Sequence, residues 1–155
     1  MFNQGTVAVT PANLPSVADL PRGHEFPAAH FRLGADDVRR YLDAVEDRSS
    51  AYGQGPEGPA WVPPLAVAAL ALRVTLEQVG LPPGTLHASQ EVEFRRPVPA
   101  GASLRSRARV AQRSEMRGAV VSVIEFEVEE EEEGSPGPAV VGRATIIAPR
   151  GEAPS

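Results

Sequence analysis

Asp47 stands where a helical pattern gives way to glycines and prolines, in the stretch Tyr41-Leu42-Asp43-Ala44-Val45-Glu46-Asp47-Arg48-Ser49-Ser50-Ala51-Tyr52. A carboxylate just past a helix end, entering such a loop beside a buried helix, has the position of a general base. The plainer reading of the same residue is a helix-terminating aspartate. His24, His30 and His87 lack metal-ligand spacing, so no metal site is expected. His87 reads either as a group of a substrate pocket or as a satisfied edge residue. Arg105, Arg107 and Arg109 form a stripe that either grips a phosphate-bearing ligand or is a solvated sheet face neutralised by facing glutamates. Arg95, Arg96 and Arg143 lie outside that stripe and are better placed for phosphate. The acidic run Glu129 to Glu133 reads as a cation site or as a solvated hairpin end whose like charges repel. There is no G-x-S-x-G elbow, P-loop or G-x-G-x-x-G, and with no cysteine there is no disulfide or thiolate chemistry.

The elements that must hold these groups follow from period. His24 to Leu33 is a short strand candidate closed by Gly34. Ala35-Asp36-Asp37 opens a helix with acids in its first turn, and Val38, Tyr41, Leu42 and Val45 share one face. Asp47 to Pro64 shows neither period and reads as a loop that carries the single tryptophan, Trp61. Pro64 then suits the first turn of a helix over Leu65 to Val79 that is apolar almost all round, so it must be buried on most sides. From there the period is two: Thr85 to Pro97, Ala102 to Glu115, Ala119 to Glu130 and Ala139 to Ile147 read as strands. Without helical crossovers between them, these four pair antiparallel as a meander. Met116-Arg117-Gly118 reads as a three-residue hairpin loop that pairs Glu115 with Ala119. That register sets Arg109 opposite Glu125, Arg107 opposite Glu127 and Arg105 opposite Glu129, with Val110, Ala108 and Ser106 facing Ile124, Phe126 and Val128 on the other side. The fold expected is α+β, a hot-dog in which a long buried helix is wrapped by a curled antiparallel sheet.

The 155 residues suit one domain. Residues 1–22 read as a flexible arm, 23–149 as the domain and 150–155 as a disordered tail. Formal net charge is −5, and all 15 basic residues are arginine, so a nucleic-acid partner is not expected. The apolar helix is too short to span a bilayer and is interrupted by Arg73 and Glu77. No secretory signal is read in Met1 to Pro21, so the expected location is cytoplasmic.

Three segments resemble the MaoC-like branch of hot-dog proteins, above all the N-terminal, HadA-type (FAS1-like) dehydratase domains. Val45 to Tyr52 is similar in place to the family's G-D-x-N-P-[LIV]-H motif. Pro63-Pro64-Leu65 is similar to its P-P-x entry to the central helix. Leu86-His87-Ala88-Ser89-Gln90-Glu91-Val92-Glu93-Phe94-Arg95-Arg96-Pro97-Val98-Pro99-Ala100-Gly101 resembles L-H-G-x-Q-x-F-x-x-x-R-P-L-x-x-G-D. The resemblance spans about residues 24 to 148 and implies a 3-hydroxyacyl-thioester dehydratase or enoyl-CoA hydratase relative. Such a protein binds acyl-CoA or acyl-ACP, needs no cofactor, and forms a homodimer or a heterodimer with another hot-dog subunit. It implies an acid–base pair of Asp and His, with a backbone N–H on the thioester carbonyl. The Asp falls on Asp47 and the His on Tyr52; the motif's Asn and Pro fall on Ser49 and Ser50. Ser50, Trp61, Pro64, His87, Arg95 and Arg96 are the implied substrate-binding positions. A phenol titrates near pH 10 and is a poor base at neutral pH. The departure at Tyr52 therefore implies an alternative, non-catalytic subunit that shapes an acyl tunnel while a partner supplies the dyad. A third reading, an acyl-CoA thioesterase, would use Glu77 near the end of the central helix.

Overall fold

Alternation of apolar and polar residues gives β5, β6 and β7 one buried face and one face toward solvent. In the computed structural model, which describes residues 13–53 and 59–151, the elements are β1 (Ala29–Arg32), α1 (Ala35–Ala44), β2 (Trp61–Val62), α2 (Pro64–Leu76), β3 (Leu86–Phe94), β4 (Val98–Pro99), β5 (Ser103–Met116), β6 (Ala119–Glu130) and β7 (Val140–Pro149). Five strands form one antiparallel sheet in the order β1-β5-β6-β7-β3, and β2 pairs with β4. α2 packs across β6 and β7. The α+β hot-dog expectation holds.

The core is the inner face of the sheet closed on α2. Leu104, Val110, Ile124, Val128, Val140 and Ile146 are buried against Val67, Ala68 and Ala71. Each fully buried aliphatic side chain of this kind contributes roughly 1.5–3 kcal/mol. α2 starts with Pro63 as its cap and Pro64 in its first turn, where a missing N–H costs nothing. Its burial is less complete than its composition suggests. Leu65 (58% exposed), Ala69 and Arg73, four residues apart, form an open flank.

The hairpin departs from the expected loop in an instructive way. The turn is two residues, Arg117 (φ 45°) and Gly118 (φ 81°), and Met116 pairs with Ala119. Left-handed φ at both positions matches the strand twist. A two-residue loop alone would put the arginines and the apolar residues on the wrong faces. A bulge at Ala111, between Val110 and Gln112, absorbs one residue and restores them. Arg109, Arg107 and Arg105 therefore face Glu125, Glu127 and Glu129 as expected.

Other expectations meet the structure differently. The simple meander fails, because β3 pairs with β7 and not with β5. Pro97, which has no N–H for a ladder, follows the end of β3, and the chain leaves the sheet there, pairing β4 with β2 before it re-enters as β5. The first strand is shorter than His24 to Leu33; Pro27 interrupts it, leaving an isolated bridge at Glu25 and then β1. The stretch from Asp47 to Pro64 contains a 3-10 turn at Ser50–Tyr52 and β2. Finally, part of the expected arm is packed. Ser16 caps a 3-10 turn at Val17–Asp19, Val17, Ala18 and Leu20 lie in the core, and Gly80 bonds both Pro15 (2.8 Å) and Val17 (3.0 Å). Residues 1–12 lie outside the described residues. At the other end Arg150, expected in the tail, donates its N–H to Gly118 (2.8 Å) and pairs with Glu115 (2.8 Å), while 152–155 lie outside the description.

Candidate functional site

α1 ends in a way that delivers Asp47. Glu46 takes φ 55°, its N–H reaches Asp43 O (3.2 Å), and the Asp47 N–H turns back to Leu42 O (2.9 Å). These are the two bonds of a Schellman stop, with a glutamate in the left-handed position where glycine is usual. Glu46 thus terminates the helix, and the Asp47 side chain is released for other work. Asp47 Oδ1 accepts from the Ser49 N–H (2.8 Å), and Ser49 Oγ accepts from the Ala51 N–H (3.1 Å). This pair of side-chain turns folds the chain into the 3-10 turn that ends on Tyr52.

The turn brings Tyr52 within electrostatic reach of the Asp47 carboxylate. Tyr52 is pushed above its ordinary pKa, first by burial, then by the charge of Asp47 and the hydrogen bond given to it, and last by Tyr41. The phenol is therefore a proton donor and the carboxylate an acceptor. Together they can orient a water, a hydroxyl or a carbonyl; the phenol cannot serve as a base at neutral pH. Tyr41, unremarked as a functional residue in the sequence, is the third member. Tyr41 lies near enough to Tyr52 to raise its pKa as well, and the helical spacing of Tyr41 from the end of α1 was the available signal.

Trp61 belongs to the same neighbourhood. The Tyr52 carbonyl accepts from the Ala60 N–H (3.0 Å), and a Cβ at Gly53 would stand 3.7 Å from Trp61 Cδ1. Trp61 pairs with Pro99 across β2 and β4 and keeps 41% of its surface exposed. Pro64 follows three residues later, at the start of α2. Ser50 opens the 3-10 turn; its side chain lies outside the description.

The other candidate positions are not gathered here. His87 opposes Ile146 near the first end of β3, whereas Arg95 and Arg96 follow its last residue, Phe94. Arg95 pairs with Glu93 (3.0 Å). Arg96 grips the β6–β7 connection through Ser135 Oγ (3.4 Å) and the Gly137 carbonyl, with its Nε buried and unpartnered. Glu77 caps α2 and pairs with Arg73 (2.8 Å).

The arginine stripe resolves toward its plainer reading. A row of alternating charge runs over the outer face from Glu25, in its isolated bridge, across β5, β6, β7 and β3: Glu25, Arg109, Glu125, Arg143, Glu91. Glu125 accepts from Arg109 (3.0 Å) and Arg143 (2.9 Å), and these bonds hold its carboxyl below the usual range. Glu129 is lowered in the same way, chiefly by Arg105. A cavity of ≈ 910 Å³ lies over this face, but its arginines are already engaged by glutamates. In the acidic run, Glu131 meets His30. Among the described residues no cluster of His, Asp or Glu has the makings of a metal site, and no helix is long and apolar enough to cross a membrane.

Residues 22–136 match the family model for the FAS1-like, dehydratase domain region. The chain belongs to this family. No curated protein matches it in sequence. Its fold is that of the (R)-hydratase from A. caviae involved in PHA biosynthesis, with 20% identity, a TM-score of 0.67, and coverage of 84% of this chain and 98% of that one. The C-terminally truncated HadBC (3R-hydroxyacyl-ACP dehydratase) complex from Mycobacterium tuberculosis is similar at 22% identity and a TM-score of 0.64, covering 82% of this chain and 96% of that one. A MaoC-like dehydratase from Rhodospirillum rubrum is similar at 17% identity and 0.65, covering 89% and 99%.

Proposed function

We propose that this FAS1-like dehydratase domain binds an acyl thioester, on coenzyme A or acyl carrier protein, beside Asp47 and Tyr52, and works as the non-catalytic member of a pair of hot-dog subunits. The observation that carries the reading is that Tyr52, which the resemblance puts at the imidazole position of the dyad, lies within electrostatic reach of Asp47. A dehydratase dyad needs a carboxylate and an imidazole to move protons at neutral pH. Here the second group is a phenol whose pKa is raised further, so it donates a hydrogen bond and does not accept a proton. Asp47 and Tyr52 then orient the thioester end of the ligand, Trp61 and Pro64 offer apolar surface beside them, and a partner chain with an intact D-x-N-P-x-H supplies the chemistry.

Calorimetry with acyl-CoAs of increasing length, alongside the enoyl absorbance of the same mixtures, tests this. The expected result is binding without hydration by the chain alone, and hydration after co-expression with a hot-dog protein carrying the intact motif. Steady hydration by the chain alone, lost in Asp47→Asn, would make it a self-sufficient enzyme and overturn the non-catalytic reading. Absence of acyl-CoA binding by both the chain and the complex would overturn the thioester reading itself.

A further inference from the structure

The candidate site and the N-terminal segment lie at opposite ends of α2. Tyr52, Ala60 and Trp61 precede Pro64, the first residue of the helix. Past its last turn, Gly80 donates its N–H to Pro15 O (2.8 Å) and accepts from the Val17 N–H (3.0 Å). β1 gives the same measure independently. Just before that strand Pro27 O accepts from Gln78 (3.3 Å), beyond the far end of α2. Just after it Leu33 O accepts from the Gly101 N–H (2.7 Å), next to Ala100, whose own N–H reaches Ala60 O (2.9 Å). β1 therefore runs along α2 from the far end back to the site.

Residues 16–20 close that far end. They pack on β6 and β7, and Arg113 Nη2 donates to Ala18 O (3.1 Å). Val17, Ala18 and Leu20 are buried in the core cluster that also holds Val79, Val120 and Ile146.

Between the two ends the helix presents small side chains. Ala68, Ala71 and Thr75 share one stripe of α2 and are fully buried. Ser106 lies on the helix side of β5, opposite Val128 and Ala29. It is 2% exposed, and its Oγ has no hydrogen-bond partner among the described residues. A buried hydroxyl left unpaired is costly, and a polar atom brought by a ligand relieves it.

We propose that residues 16–20 are the end wall of the acyl site. A chain anchored by its thioester beside Asp47 and Tyr52 runs along α2, and Val17 and Leu20 set the longest chain that fits. This rests on the acyl-thioester reading above and is independent of whether the protein is catalytic. The 13 residues of α2 span about 20 Å, the length of an extended hydrocarbon of roughly 16 carbons.

Acyl-CoAs carrying a diazirine on the terminal carbon test the wall directly. The first basic residue of the chain is Arg22, so trypsin separates residues 16–20 from all that follows it. Photolysis with a probe of about 16 carbons is expected to label the peptide ending at Arg22, and a probe of about 8 carbons is expected to label only later peptides. Long-probe label confined to later peptides shows an acyl chain bound elsewhere; the thioester reading then stands and the wall is overturned. No specific label with either probe overturns both.

Calorimetry on Leu20→Ala reads the specificity, with circular dichroism to verify folding. The longest chain bound is expected to lengthen by about two or three carbons, matching the volume removed. The first chain length that the native protein excludes should bind about tenfold tighter, and the gain should be confined to chains long enough to reach Leu20. A change equal at all lengths, or no change at any, overturns the proposal. If Leu20→Ala fails to fold, Leu20→Val carries the same comparison, with a gain of about one carbon expected.

Discussion

Tyr52 stands five residues beyond Asp47 in the chain, and burial together with the nearby Asp47 charge holds its phenol protonated above the ordinary range. The consequence for pH has a definite sign. The unfolded phenol loses its proton near pH 10 and the folded one above it, so the folded state holds more protons in that window. Stability from this group is complete below pH 10 and lost as pH rises through the folded value. In a Tyr41→Phe background only Tyr52 can form tyrosinate. Its ultraviolet titration is expected to lie above pH 10, and Tyr52→Phe is expected to flatten the alkaline fall in stability. A midpoint at or below 10 contradicts the assignment.

Glu125 titrates in the opposite sense. Hydrogen bonds from Arg109 and then Arg143 lower its pKa from 4.5, so its contribution is present above pH 4.5 and lost as pH falls through the lower folded value. All three side chains are substantially exposed, so the effect is small. Glu125→Gln should cost about 1 kcal/mol or less at neutral pH and nothing at pH 2. Urea midpoints at the two pH values measure it; an equal loss at both would assign the effect to packing.

Gly142 faces Phe126 across β6 and β7. A Cβ there would collide with the ring, standing 2.8 Å from Phe126 Cε1, with Glu91 O at 3.0 Å behind it. Gly142→Ala is expected to destabilise by roughly 1–3 kcal/mol. Combined with Phe126→Leu, the two losses should sum to less than their separate values, since the smaller side chain makes room. Additive losses in chemical denaturation would place the strain elsewhere.

Glu46 holds a left-handed backbone that glycine adopts freely. Glu46→Gly should stabilise by about 0.5–1 kcal/mol while leaving Asp47 in place. Denaturant midpoints give the gain. The Tyr52 titration gives the second half: it should be unchanged, and a shift toward pH 10 would show that Asp47 had moved.

Much of the molecule was legible in its residues. The four long strands, the apolar α2 with Pro64 in its first turn, and the facing of Arg105, Arg107 and Arg109 onto Glu129, Glu127 and Glu125 follow from periodicity, because each side chain must choose one face of a strand or helix. Asp47 as the carboxylate of interest followed from its place at a helix end. That Tyr52 comes near it required the reversal at Glu46 and the Asp47–Ser49 turn, geometry that residue types permit without demanding.

What only the tertiary structure decided is where elements meet over long separations. The charge ladder is compatible with a three-residue loop, yet the chain takes a twist-matched two-residue turn and corrects the faces with a bulge at Ala111. β3 joins β7, with the chain leaving the sheet at Pro97, and that order leaves the Glu91–Glu93 edge open. Val17 and Leu20, separated by too few residues to show a period, are buried where Gly80, just beyond α2, bonds Pro15 and Val17. Periodicity is a local property and is written in the order of the side chains. Strand neighbours, bulges and docked termini are set by which distant surfaces bury the most apolar area while satisfying backbone hydrogen bonds, and that competition is settled only when the chain is folded.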